Sequence, residues 1–420
     1  LEEMTAESVT LRPTPRGERI GLIDITRGAA LFGVLVMNTV YIAGFTVPQS
    51  DFPGGVDQVI RDLLGLFVNL RFLGLFSILF GLGFILQIRR AKEKGAHFRA
   101  RYLRRIAILF IVGLIHSLFY PGDILKAYAV LGLLLPLVYR LPPRTLATLS
   151  LLCVLLSGVG PAITRASPAL SHRLSPQNQS LFERSDFCRN TAGQYPSRTD
   201  AYAEGSLTQV LSLNACGIPE QGRGFLRDWT LAHIFGLFLI GVLIGTTDFI
   251  RSIPDRIPQI LIGTLICGFV GFALLGIQIW VPNVDRGWLL AFADTTMRFG
   301  YYLTTLAYGG SIILIHQTGF GGRALKPLSA VGRTALTVYL LQSVVYSTMF
   351  LGYGLGWDIR MGLPSILGIT VVIYLAEVVV CNLWMKHFRF GPAEWVWRSL
   401  TYLKVQPLLN RGTQGRAGAI

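Results

Sequence analysis

Charged residues are scarce in this chain, and acids are scarcer than bases. Asp, Glu, Lys and Arg make up 15% of 420 residues, with 23 acids against 38 bases. A soluble domain carries about 25% charged residues, so a water-solvated fold is not the first reading. There are six histidines and five cysteines. Neither HExxH nor CxxC occurs, so the paired ligand patterns of zinc sites are missing and no metal is expected. Walker A and a strand-linked GxGxxG are missing too, which removes the commonest phosphate-cradling loops. The opening stretch LEEMTAESVTLRPTPRGERIG lacks the apolar core of a cleaved leader, so the first span reads as an uncleaved start.

What is abundant is apolar sequence, at 52% of residues. Ten apolar runs recur at about 28–47, 70–88, 104–120, 124–140, 145–163, 229–247, 257–281, 293–315, 333–352 and 361–385. A bilayer-crossing helix needs about 20 residues and an outer-membrane strand about 10. The runs therefore predict helices: an all-α polytopic membrane bundle of about ten transmembrane helices. Runs three and four are short and share the turn Pro121-Gly122, so they read either as two crossings or as one re-entrant pair. The 46 glycines, in runs such as LFGLGF at 79–84, suit close helix packing.

The net charge of +15 raises nucleic acid as a partner, but its placement points to topology. The basic loop 89–105 holds Arg89, Arg90, Lys92, Lys94, Arg99, Arg101, Arg104 and Arg105 against Glu93 alone. Further basic groups lie before span one, at 140–144, 251–256 and 323–333, and in the tail. With ten spans and both termini cytoplasmic, all of them fall on one side, as the positive-inside rule requires. No nucleic-acid partner is expected; membrane lipid is. The chain divides into a five-span half at 1–163, an extracytoplasmic loop at 164–228, a second five-span half at 229–386 and a cytoplasmic tail at 387–420. Within the loop, 199–213 predicts a short surface helix. Cys188 and Cys216 lie in that loop, where an oxidising compartment permits a disulfide; two free thiols are the alternative.

Ionisable side chains inside an apolar run are costly and mark functional hypotheses. His116 lies within span three and Asp123 at the hinge. On an unbroken helix the two would share a face about 10 Å apart; Pro121-Gly122 breaks the helix and lets Asp123 fold back or face another partner. A histidine oriented by a carboxylate is the usual general base, and packing is the other reading. Arg71 opens span two. Asp294 and Arg298 are spaced to pair on one helix face, either as an internal ion pair or as a polar cavity wall. Glu377 lies deep in span ten, facing the bundle or hydrogen-bonded in its protonated form. His233 reads as an interfacial anchor beside Trp229. Asp24 and Arg27 are also spaced to pair, and Arg104 and Arg105 stand at a span mouth. Arginine clusters bind phosphates, and they also fix topology and attract anionic lipid.

Several blocks resemble one family. RIGLIDITRGAALFGVLVMN (19–38), RFLGLFSILFGLGF (71–84), GLIHSLFYPGDILKAYAVLG (113–132), VGRTALTVYLLQSVV (331–345) and FRFGPAEWVWRSLTY (388–402) resemble YeiB-type bacterial membrane proteins, whose C-terminal domain is of unknown function. That implies the bacterial plasma (inner) membrane. The opening Arg-x4-Asp-x2-Arg-Gly, here Arg19, Asp24, Arg27 and Gly28, is similar to the start of the acyltransferase type three family and of the lysosomal heparan-α-glucosaminide acetyltransferase. The similarity implies transfer of an acyl group from a cytosolic acyl-CoA to an acceptor on the far side. The type three family's first-span histidine has no counterpart here, and its role passes by inference to His116. The expectation is then His116 and Asp123 as catalytic residues and Arg27, Arg104 and Arg105 on the acyl-CoA. Arg71, Asp294 and Arg298 would hold a sugar, glycolipid or small-molecule acceptor. The alternatives are a transporter or lipid-handling protein without covalent chemistry, and a structural partner in the membrane.

Overall fold

The computed structural model describes residues 21–44, 55–93, 98–174, 185, 187–188, 190, 198–280, 287–357 and 361–410. Among the described residues the regular structure is helical, apart from one isolated bridge between Phe388 and Leu409. The first half comprises α1 (Gly21–Ala43), α2 (Val56–Phe67), α3 (Arg71–Glu93), α4 (Arg99–Phe119), α5 (Leu125–Gly132), α6 (Leu135–Val138) and α7 (Pro143–Ala166). The connection contributes α8 (Pro168–Leu174), α9 (Arg198–Glu204) and α10 (Leu207–Arg227). The second half comprises α11 (Thr230–Thr246), α12 (Ile257–Trp280), α13 (Gly287–Gln317), α14 (Gly319–Leu325), α15 (Leu328–Arg333), α16 (Ala335–Phe350), α17 (Leu363–His387) and α18 (Pro392–Tyr402).

Among the described residues six helical segments are long and apolar enough to cross a membrane, or seven if the bent pair α10–α11 counts as one span. Every apolar run of the sequence maps onto a helix, but not every such helix is long enough. The segment Leu125–Val138 and helix α16 are shorter than the roughly 20 residues a crossing needs. Leu125–Val138 is broken between α5 and α6 and packs back on α4, as a re-entrant arm does. The apolar faces of α12 and α17 look outward: Leu265, Phe269, Val372 and Val380 are each more than half exposed. Exposed apolar bands of this size fit a lipid surround.

In the long connection, helix forms over more residues than expected. Ser206 and Gln209 make a reciprocal capping box at the start of α10, which runs through Pro219 to Arg227. The chain then bends by 68° into α11 at Trp229, whose φ of 53° lies in the left-handed region. The Trp229 indole donates to Thr164 Oγ1 (3.0 Å) and so fastens the bend to α7. Cys188 and Cys216 are disulfide-bonded, with Cα atoms 5.7 Å apart.

Two glycine-mediated crossings position the interior. Gly81 of α3 lies against the Phe238 carbonyl of α11, and Gly241 of α11 against the Ile78 carbonyl of α3. Each helix thus supplies the notch for the other's backbone, the small-residue packing expected between membrane helices. Gly28 of α1 lies against the Leu328 carbonyl, and Gly332 of α15 against the Asp24 carbonyl. The glycine of the opening motif therefore has a packing reason: it brings α15 onto α1. Gly241→Val is expected to cost about 1–3 kcal/mol by overpacking. A lowered melting temperature of the detergent-solubilised protein checks this. Gly263→Val, at a glycine with nothing within 4 Å of its added Cβ, should leave the temperature unchanged.

Candidate active site

The re-entrant turn decides the geometry of the histidine. Helix α4 ends at Phe119, Tyr120 is extended, and Pro121-Gly122 reverses the chain. Asp123 folds back until its Oδ1 lies 2.8 Å from His116 Nδ1. Both side chains are buried, at 2% and 0% exposure. Asp123 Oδ2 accepts from the Lys126 backbone N–H (3.2 Å). Helix α5 passes close enough to α4 that a Cβ at Gly113 would meet Lys126 N and Asp123 Oδ2. The carboxylate orients the ring and leaves His116 Nε2, which has no hydrogen-bond partner among the described residues. This is the geometry of an oriented base. The Tyr339 ring from α16 lies 4.8 Å from the imidazole, and the Tyr120 ring 5.8 Å.

Below this pair lies a cavity of about 390 Å³ between α1, α3, α4, α5, α16 and α18. Its inner wall is apolar, with Leu73, Phe76, Leu109, Ile124, Leu125 and Tyr339 among its residues. Ile124 directly follows Asp123, and Tyr339 is the ring against His116, so one layer of side chains separates the cavity from the pair. The other end is basic: Arg27, Arg90, Arg101, Arg105, Arg333 and Arg398 all line it, against Asp24 and Glu394. The distance along α4 from Arg105 to His116 is about 17 Å at 1.5 Å per residue.

Neither acid neutralises this mouth fully. Asp24 pairs with Arg27 at 3.5 Å. Glu394 is spent on the start of α16: it accepts from the Leu336 N–H (2.6 Å), the Thr337 N–H (3.2 Å) and the Thr337 hydroxyl (2.6 Å). A carboxylate at a helix N-terminus is stabilised by the orphan N–H groups and the dipole. Burial pushes the Glu394 carboxyl above its ordinary value, and the hydrogen bonds oppose that rise. Burial pulls the Arg398 guanidinium below its ordinary value, and the Arg27 charge adds to the effect. Arg27, Arg105 and Arg398 repel one another. Aromatic faces hold two of them in place: Arg105 lies 3.7 Å from the Trp397 ring centre, and Arg398 lies 4.8 Å from that of Phe390. Trp397 in turn donates its indole N–H to the Arg105 carbonyl (3.0 Å), docking α18 on α4.

The expected site residues distribute unevenly. His116 and Asp123 meet. Arg27 and Arg105 line the cavity, whereas Arg104, one residue and about 100° around the helix, does not. Arg19 of the opening motif and Lys94 of the basic loop lie outside the described residues. Arg90, Arg101, Arg333 and Arg398 join the mouth without having been singled out; for Arg333 and Arg398 only the docking of distant helices brings them there.

The three residues expected to hold the acceptor are not brought together around the pair. Among the described residues no hydrogen bond or ion pair joins them to it. Arg71 is fully buried and its guanidinium donates to the carbonyls of Gly65 (2.6 Å), Asn69 (2.6 Å) and Leu66. It closes the break between α2 and α3, where Leu70 takes a φ of 63°. Asp294 pairs with Arg165 (2.8 Å) rather than with Arg298, because the end of α7 lies beside α13. Arg298 donates to the Asp228 carbonyl (3.1 Å). His233 is 1% exposed between the edges of Tyr301 and Tyr302, which makes it a buried residue rather than an interfacial anchor. Glu377 accepts from Gln342 (2.7 Å). Among the described residues no group of three or more His, Cys, Asp or Glu is arranged to hold a metal.

Fold and site together define a helical membrane protein with a buried histidine–aspartate pair above an arginine-mouthed cavity. Residues 19–184 match the family model described as "Heparan-alpha-glucosaminide N-acetyltransferase, catalytic", so this half is acyltransferase-like. Residues 244–404 match "Protein of unknown function (DUF418)". The chain is 30% identical over 427 residues to "Uncharacterized protein YxaH" of Bacillus subtilis (strain 168), covering 96% of this chain and 99% of the relative. It is 26% identical over 417 residues to "Uncharacterized protein YeiB" of Escherichia coli (strain K12), covering 94% and 99%. The chain belongs to the YeiB family, with its C-terminal DUF418 domain. No solved structure matches it.

Proposed function

We propose that this protein is an acyltransferase of the bacterial plasma membrane, moving an acyl group from a cytosolic acyl-CoA to an acceptor on the far side. One observation carries the reading: a single cavity runs from six arginines to the residues that flank His116 and Asp123. The arginines suit the phosphates of coenzyme A, for which their forked donors are matched. The narrow apolar interior suits the extended arm that ends in the thioester. The match of residues 19–184 to an acyltransferase catalytic domain supports the same reading. Ten crossings with both termini cytoplasmic would put the arginine mouth inside and the histidine toward the outside. The cavity would then cover part of the membrane depth between them, about 17 Å along α4.

His116 then serves as base or as transient acyl carrier. As base, Nε2 takes the proton of the attacking acceptor, the thioester C–S bond breaks, and the imidazolium returns the proton to the departing thiolate. Asp123 holds the ring and stabilises its charged form. The test is titration of the full chain in lipid nanodiscs with acetyl-CoA, followed by incubation with acyl-labelled acetyl-CoA. Saturable binding, with slow thioester hydrolysis or labelling of the protein, is expected. Absence of binding at low ionic strength sinks the donor half and leaves the transport reading.

A further inference from the structure

On the far side of His116 from the arginine mouth, the chain places a second group of polar side chains that the reaction above does not use. Helix α10, stapled by Cys188–Cys216, docks over the end of α4: Asn214 donates to the Leu118 carbonyl (2.8 Å) and accepts from Tyr202 (2.6 Å). About two turns beyond Asn214, Gln221 accepts a hydrogen bond from Lys126 Nζ (2.7 Å). Lys126 is 9% exposed and follows Asp123 by three residues. On the other flank the Tyr120 hydroxyl donates to Asn38 Oδ1 (2.9 Å). Gln221 Nε2 and Asn38 Nδ2 are buried and, among the described residues, have no acceptor. The Lys126 ammonium carries three donors, of which Gln221 Oε1 takes one. Buried polar groups are almost always paired, so a cluster of unspent donors beside a reacting histidine is a recognition surface.

Resting on the acyl-transfer reading, we propose that this cluster is the acceptor subsite and that it takes a hydroxyl, making the reaction an O-acylation. The subsite offers donors from Lys126, Gln221 and Asn38, and one acceptor, His116 Nε2. A hydroxyl has one proton and two lone pairs. Its proton meets His116 Nε2, its lone pairs and those of neighbouring hydroxyls meet the amide and ammonium donors, and a sugar or other polyol satisfies the set. An ammonium has three donors and no lone pair, so it leaves the amides unpaired and faces the Lys126 charge. In the transfer the hydroxyl oxygen attacks the thioester carbonyl, an ester forms, the C–S bond breaks and the hydroxyl proton leaves with the thiol. Lys126 is thus a specificity residue for the acceptor.

The full chain in nanodiscs, loaded with labelled acetyl-CoA, is offered glucose and glucosamine. The expected product in both cases is an ester, released by alkaline hydroxylamine under conditions that leave an amide intact. Lys126→Gln should raise the glucose half-saturation about tenfold, the loss of one charge-assisted hydrogen bond, with the acetyl-CoA dissociation constant unchanged. Lys126→Arg should recover part of the loss, and Gln221→Leu should act in the same direction. A hydroxylamine-resistant amide on glucosamine overturns the hydroxyl assignment while acyl transfer stands. So does transfer to neither probe from bound acetyl-CoA, and so does an unchanged half-saturation in a folded Lys126→Gln protein. Failure to bind acetyl-CoA overturns the acyl-transfer reading itself.

Discussion

Replacing His116 by alanine is expected to lower acyl transfer by about 10²–10⁴, the usual range for a general base, while acetyl-CoA still binds. The split matters because His116 does not line the cavity; Tyr339 and Ile124 stand between them. A residue that only packed would move stability, not the ratio of turnover to binding. Asp123→Asn should lower turnover in the same direction without removing the side chain's volume. Asp123→Ala is a poorer variant, since it strands both the His116 ring and the Lys126 N–H, at about 1–3 kcal/mol for each buried group left unpaired. Stopped-flow or single-turnover measurement of acyl-labelled protein separates the two roles open to His116. If the histidine carries the acyl group, label accumulates on wild type and not on His116→Ala. If it acts as base alone, neither protein is labelled. Wild-type turnover in a folded His116→Ala protein would return the histidine to packing.

The sequence carried the pair but not its contact. Seven residues of unbroken helix would hold His116 and Asp123 about 10 Å apart, and Pro121-Gly122 announces only that the helix stops. How far Asp123 folds back depends on Gly113 letting α5 approach α4, a tertiary fact. Arg104 and Arg105 illustrate a second limit. Both sit at the mouth of an apolar run, and one residue of rotation sends one to the cavity and the other away from it. The charge run gave no phase, because a helix with apolar residues on most sides shows no preferred face. Arg71 marks a third. A lone arginine at the start of a span looks like a ligand residue, and here its acceptors are the backbone carbonyls of Gly65 and Leu66 on the preceding helix and of Asn69 in the break. The signal for that was local: a break at Val68–Leu70 frees carbonyls that need donors. Span counting meets a related limit. Apolar composition reports burial as readily as lipid exposure, so the re-entrant arm Leu125–Val138 reads like a crossing until its length is measured against the bilayer.

The arginine mouth should show itself as a loss of acetyl-CoA affinity that follows cavity lining rather than charge count. Arg398→Ala and Arg105→Ala are each expected to weaken binding by about tenfold or more, since a hydrogen bond to a charged group contributes roughly 1.5–3 kcal/mol. Arg104→Ala removes the same charge from the same turn of α4 and should change binding little, because Arg104 does not line the cavity. Titration calorimetry of the three proteins at one salt concentration makes the comparison. Arg105→Lys separates charge from geometry. Lysine keeps the charge but gives up the planar fork and the stacking on Trp397, so an affinity between those of wild type and Arg105→Ala is expected. The pattern also decides between two uses of a basic loop. Charges that only fix topology or hold anionic lipid act as a sum, and then Arg104→Ala, Arg105→Ala and Arg398→Ala would fall together. Charges that cradle a ligand act by position. Arg398 is the stronger witness of the two cavity arginines, because it lies on α18, far in sequence from the basic loop 89–105, and reaches the cavity only through the docking of that helix. Its place at the mouth is secured by the Glu394 contacts with α16 and by the Trp397 bond to α4. The C-terminal helix of the DUF418 domain thereby completes a cavity whose other walls belong largely to the acyltransferase-like half.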